Sequence, residues 1–209
     1  MAVVGRSGQG VLQKRRVFFS FYYQEDIWRV NQVRNSWRFR RETERLSQGF
    51  FDGSIWEASQ RTSDESLKSL IRSGVENTSV TCVLIGANTH ARRWVRYEIA
   101  QSLVRRNGLL GIKIHGLKNQ AGYLGTPGVN PLECMGVYLS NGSIKIAERV
   151  NRKWKAYSDY TRAIRLPMGW TKPTSTQVIC LNHYAATHVY SAGRFAEWVS
   201  KAASDAGKA

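Results

Sequence analysis

Long apolar runs are missing from this chain, and so are paired cysteines. No stretch approaches the roughly 20 consecutive apolar residues that a membrane-spanning helix requires. The three cysteines, Cys82, Cys134 and Cys180, are widely spaced and odd in number, with no CxxC pair. That speaks against a disulfide framework and against a zinc site, and it fits a reducing cytoplasm. Cys82, inside the apolar run "VTCVLIG", reads as a small buried hydrophobe. Gly5, Gly8 and Gly10 precede the first strand instead of forming a strand-to-helix turn, so neither a dinucleotide fingerprint nor a Walker loop is present. A GxSxG elbow is also lacking. The four histidines show no metal-binding or catalytic spacing.

Acids are scarce as well. Fifteen stand against 31 basic residues, giving a net charge of +16 and a pI of about 10.2. Such a balance favours anionic partners. The basic residues are spread along the chain, with the densest groups at Lys14–Arg16, Arg38–Arg41, Arg92–Arg96 and Arg149–Lys155. No recognition-helix, RNP or zinc-finger pattern accompanies them, so nucleic-acid binding stands as an alternative function only.

What is present is a good core. The chain has 209 residues, 42% of them hydrophobic and 11% aromatic, enough for one substantial domain without disulfides or metal. Residues 1–13 are basic, acid-free and glycine-containing, and lack the apolar core of a secretory signal. They read as a flexible lead-in to a single domain over residues 14–209.

"RRVFFSFYY", Arg15–Tyr23, is a near-continuous β-favouring run suited to a central parallel strand. "EDIWRVNQVRNSWRF" follows, with acids at its start and Ile27, Val30, Val33 and Trp37 at helical spacing. "GFFDGS" predicts a short second strand broken at Asp52-Gly53, and residues 54–61 a loop. In "TSDESLKSLIRSGV", Thr62 and Glu65 have capping-box spacing, Leu67, Leu70 and Ile71 supply an apolar face, and Gly74 marks the stop. "TSVTCVLIG" is the third strand, residues 92–106 the next helix, and "LLGIKIHGL" the fourth strand. This alternation predicts an α/β fold with a flavodoxin-like open parallel sheet and helices on both faces, its core over residues 15–116.

Residues 117–209 read as an elaborated C-terminal half. Asn141-Gly142 between alternating residues predicts a hairpin, its second arm ending near Trp154. A short helix is expected before Pro167 and a last amphipathic helix over about 191–203, using Phe195, Trp198 and Val199.

One stretch carries candidate chemistry. In "RRWVRYEI", residues 92–99, Val95, Ile99 and Leu103 form the core stripe of a helix, and Glu98 lies about 60° from Val95 at its border. With Trp94 one turn earlier, Glu98 is expected half buried beside an indole and flanked by arginines. Desolvation raises its pKa and arginine charge lowers it, a balance that residues alone leave open. A surface ion pair with Arg105 or Arg106, a structural carboxylate and an active-site carboxylate all fit this placement. Ligands of open α/β sheets bind beyond the carboxyl ends of the strands. Ser20, Phe21 and Tyr22 converge there from the first strand, and Asp52 and Trp56 from the second. Phe21, Tyr22 and Trp56 offer rings for a nicotinamide or adenine, although Phe21 also suits the core. Arg92 and Arg93, at a helix start, suit a pyrophosphate, or simply solvent.

These stretches resemble a TIR domain. "RVFFSFYYQED" is similar to the TIR opening, an apolar strand ending in Ser and an aromatic, with Ser20 as that serine. "RRWVRYEI" is similar to the TIR helix motif S-x-W-C-x-x-E-L, with Trp94, Glu98 and Ile99 on its tryptophan, glutamate and leucine. Arg92 and Val95 replace its serine and cysteine. Val33–Asn35 with Trp37, Phe51–Glu57, Asn77–Gly86 and Arg92–Ile99 together resemble the TIR-like branch of the Thoeris anti-phage system, over about residues 15–116. The resemblance implies an enzyme that cleaves the nicotinamide–ribose bond of NAD and makes a cyclic ADP-ribose-type signal for a separate effector. It implies Glu98 as the catalytic carboxylate, beside which Ser20, Phe21, Tyr22, Asp52, Trp56, Arg92, Arg93 and Trp94 are, from their own placement, the expected substrate contacts. NAD would be substrate, with no metal or other cofactor. A phage-derived trigger, self-association through the loop after the second strand and a cytoplasmic location away from membranes complete the expectation. The departures at Arg92 and Val95 leave a non-catalytic TIR-like interaction module as the alternative.

Overall fold

The central strands follow from unbroken β-branched and aromatic runs that bury both faces. The structure, a computed structural model, describes residues 15–39 and 63–208. The expected lead-in, the strand at 49–54, the loop at 54–61, Asp52 and Trp56 lie outside the described residues. β1 (Val17–Ser20) and β2 (Val80–Ile85) are buried at every position, and β3 (Gly108–Lys113) at all but its last. They pair in parallel, with Ser20 opposite Val83 and Val83 opposite Gly111.

Helices cover this sheet on both faces. α1 (Tyr23–Phe39) starts with Glu25 and Asp26 in its first turn, where the helix dipole favours acids. It buries Val30 and Val33 against Val17, Phe19 and Leu84. α2 (Asp64–Val75) buries Leu67, Ile71 and Val75 against Phe18 and Tyr97. Its cap differs from the Thr62–Glu65 expectation: Ser63 accepts from the Ser66 backbone amide. Gly74 does not stop this helix, which runs on to Val75. Leu70, expected on the apolar face, is exposed, because Val75 completes the stripe instead. α3 (Arg93–Val104) follows a 3-10 turn at Thr89–Ala91.

The C-terminal half does more than decorate this core. β8 (Thr187–Val189) pairs in parallel with β3, giving the order β1–β2–β3–β8 among the described residues. α4 (Phe195–Asp205) then buries Phe195, Trp198 and Val199 on the α1 side. Between them lies a second, antiparallel sheet of β4 (Met135–Ser140), β5 (Ser143–Val150), β6 (Lys153–Ala156) and β7 (Ile179–Cys180), ordered β6–β5–β4–β7. Asn141 and Gly142 both take positive φ, 48° and 71°, as a two-residue hairpin turn needs. The second arm ends at Val150, short of Trp154, because Asn151 and Arg152 make another such turn, φ 49° and 61°, into β6. No helix precedes Pro167; Ile164 instead bridges to Ile144. Met135, Val137 and Ile146 pack on Val95, Ile99 and Leu103, so α3 is sandwiched between the two sheets. No described helix is long and apolar enough to cross a membrane.

Candidate active site

Alternation along β1 sends Val17 and Phe19 to the α1 side and Phe18 and Ser20 to the α3 side. Ser20 ends the strand and is fully buried. Its hydroxyl donates to Glu98 Oε2 at 2.5 Å. Glu98 is only 8% exposed, deeper than the half-burial its helical phase suggests. The carboxylate turns inward onto Ser20 of β1, so the parallel sheet itself covers it. Tyr97 is buried against Phe18 and α2, and Ser102 against Thr81 of β2. Beneath the carboxylate, Ser102 Oγ donates to the Glu98 carbonyl at 2.7 Å and meets Thr81 Oγ1 at 2.6 Å.

The arginines around Glu98 are engaged elsewhere. Arg93 reaches Asp64 at 2.6 Å and Asp159 at 2.8 and 2.9 Å. Arg96 pairs with Glu148 at 2.8 Å, and Arg105 with Glu76 at 3.1 Å. The surface ion pair of Glu98 with Arg105 is thereby excluded. Desolvation wins the balance: burial pushes the Glu98 carboxyl up to about 8, and the Ser20 hydrogen bond draws it back only in part.

Around this pair, Arg92 lies with its guanidinium 3.7 Å from the centre of the Tyr22 ring, and Tyr22 Oη donates to Gln24. Arg92 makes no ion pair among the described residues, so it is the cation closest in sequence to Glu98 that no carboxylate holds. Phe21 is half buried, packs against the α1-side core and sits beside Tyr23, as its core alternative had it. Trp94 meets Tyr97 edge-on at 6.1 Å and lies under Arg93, on the α2 side of the helix.

Reading by residue type missed the polar group at the start of α1. Asp26 is buried, and its Oδ1 accepts from Arg29 at 3.3 Å; the i,i+3 spacing of the two was the available signal. Burial raises the Asp26 carboxyl to about 6 against the pull of Arg29. Its carboxylate occupies the space beside Gly86 where a Cβ would stand, 2.0 Å from Oδ2. A polar recess of about 300 Å³ opens there, lined by Arg29, Gly86, His115 and Asn119 among others. Among the described residues, no group of three or more His, Cys, Asp or Glu could hold a metal ion.

A buried carboxylate on a serine at the end of a parallel strand is the arrangement the TIR resemblance calls for, and comparison with known proteins shows the family. Residues 18–119 match the family described as Thoeris protein ThsB, TIR-like domain. A protein of Bacillus cereus (strain MSX-D12), named "Putative cyclic ADP-D-ribose synthase ThsB1", is 46% identical over 148 residues, which cover 69% of this chain and 76% of that protein. The chain belongs to the ThsB TIR-like family. The family match ends at residue 119. The ThsB TIR-like region thus contains Ser20, Glu98 and α3, whereas the second sheet, β8 and α4 lie beyond it.

Proposed function

We propose that this ThsB-family chain cleaves the nicotinamide–ribose bond of NAD and closes the ADP-ribose into a cyclic signal. The single observation that carries the reading is the buried, cation-free Glu98 held by Ser20. Breaking the C–N bond lets nicotinamide leave neutral with the bonding electron pair, while the ribose C1′ gains oxocarbenium character. A carboxylate beside that carbon, or accepting from the ribose hydroxyls, stabilises the transition state more than the ground state. Glu98 has no resident cation, so the charge that favours its ionised form arrives with the nicotinamide ring of the substrate. Ring closure follows when a nucleophilic atom of the same ADP-ribose attacks C1′ and gives up its proton, for which ionised Glu98 is the base at hand. Burial serves this outcome, because excluded water cannot compete for C1′.

In this reading Ser20 is a positioning residue, Arg92 meets the pyrophosphate and Tyr22 the substrate rings, and Asp52 and Trp56 complete the site. Arg93 and Trp94 act mainly through the packing of α3. NAD is the substrate and no further cofactor is needed. The product activates a separate effector protein in anti-phage defence within the cytoplasm, after a phage-derived trigger and with self-association of the chain. The relative's name as a cyclic ADP-D-ribose synthase supports the cyclic product.

The test is nicotinamide release from NAD by the purified protein, alone and with extract of phage-infected cells. Glu98→Gln keeps the shape and removes the charge, and it should lower turnover by about 100-fold or more. Equal release by wild type and variant under both conditions overturns the proposal.

A further inference from the structure

We propose that the outer surface of the β5–β6 hairpin binds single-stranded nucleic acid, a function separate from the Glu98 site. Charge in the C-terminal sheet is segregated. Between Cys134 and Gln177 the chain has two acids, Glu148 and Asp159. Both are largely buried, 16% and 12% exposed, and both are neutralised by cations of the α/β half, Arg96 for the first and Arg93 and Lys68 for the second. The cations of the same region do the opposite. Arg149, Arg152, Lys153, Lys155, Arg162 and Arg165 are exposed, and none makes an ion pair among the described residues. The positive charge is therefore uncompensated and faces water, which selects a polyanionic partner.

Register sets rings beside cations on one face. Lys145 stands directly opposite Tyr138, and Arg149 directly opposite Trp154. Alternation puts these four on one face, while Val137 and Ile146, on the other, enter the core. Tyr138 and Trp154 are half buried, so each ring keeps surface to offer beside the cation opposite it. Interleaved rings and cations on a sheet suit a strand whose bases stack while its phosphates are neutralised. A bilayer would meet the charge through its headgroups but would leave the rings without bases to stack on. Two left-handed residues in succession, Asn151 and Arg152, fix the end of the hairpin, so the cations are presented on a set bend.

The experiment is fluorescence anisotropy of the whole chain with a fluorescein-labelled, mixed-sequence single strand of about 20 nucleotides, over about 50–200 mM salt. Wild type should bind with affinity that falls steeply with salt. Arg149→Glu with Arg152→Glu should weaken binding about tenfold or more and flatten the salt slope by about two. Arg194→Glu with Lys201→Glu, the same charge change on α4, should cost less than about twofold. Charge-neutral Trp154→Ala should lose about fivefold or more on the single strand. Thermal melts check that each variant folds. Three results overturn the proposal: no salt-dependent binding by wild type, equal weakening by the α4 pair, or equal competition by poly-glutamate or anionic vesicles. NAD cleavage is measured apart, so loss of one function leaves the other standing.

Discussion

The parallel and antiparallel sheets of this chain treat their carboxylates in opposite ways. At the parallel sheet, Glu98 is buried with only a serine hydroxyl for company, and its carboxyl rises to about 8. In the antiparallel half, Asp159 lies against Arg93 and Lys68, whose hydrogen bonds hold its carboxyl down near 2. An acid kept without a partner opposes folding at neutral pH, whereas an acid clipped between cations supports it. The first arrangement suits chemistry and the second suits assembly.

That contrast can be broken most sharply at Glu98. Because its folded pKa is raised, the unfolded chain ionises first as pH climbs from about 4.5 towards 8, and stability falls across that window. Glu98→Gln removes this cost, which is on the order of a few kcal/mol when the carboxyl is fully desolvated. Thermal melts should show the variant several degrees more stable than wild type at pH 8, with the gap closing towards pH 4.5. A gap that stays constant with pH would mean that Glu98 ionises as freely folded as unfolded.

Ser20→Ala sharpens the same side. The hydroxyl favours the ionised carboxylate, so its loss should move the rise of kcat/KM with pH, which wild type makes near 8, to higher pH. At pH 7 the activity should fall about tenfold, and raising the pH should restore part of it. A merely structural serine would lower activity equally at every pH.

Arg93→Ala addresses the opposite side and has the smallest expected effect. The arginine side chain is 49% exposed, so solvent screening limits its ties to Asp64 and Asp159 to about 1 kcal/mol together. The melting temperature should drop by about 2–4 °C at pH 7. Asp159 is depressed, so its contribution is present above the unfolded value near 3.8 and is lost as pH falls through about 2. The difference between wild type and variant should therefore shrink in acid. An unchanged melting temperature at pH 7 would show that Lys68 alone holds Asp159.

How far the residues alone reveal this depends on which physics sets each element. β1, β2 and β3 are legible because strands buried on both faces must be apolar throughout, and α3 because Val95, Ile99 and Leu103 repeat at helical spacing. The ThsB resemblance was legible in the first half, where the family match also lies. β8 was not, since three residues, Thr187–Val189, carry too little pattern to declare a strand. The depth of Glu98 was hidden too, because it follows from contact with Ser20, 78 residues away on β1. Nor could helical phase predict that Arg93 would find Asp159, 66 residues away. Ion pairs of that range follow from the fold and leave no local mark.

β8 has one more consequence, in the order of events during synthesis. The sheet begun by Val17–Ser20 keeps an open edge on β3 until Thr187–Val189 emerges from the ribosome and α4 covers Leu110 and Ile112. Parallel pairing across such a separation in sequence is slow, and the waiting edge can recruit other chains. A nascent chain stalled before Thr187 would hold Ser20 and Glu98 yet present them on an unfinished scaffold. Completion of the C-terminal half is thus the step that commits the chain to its working form.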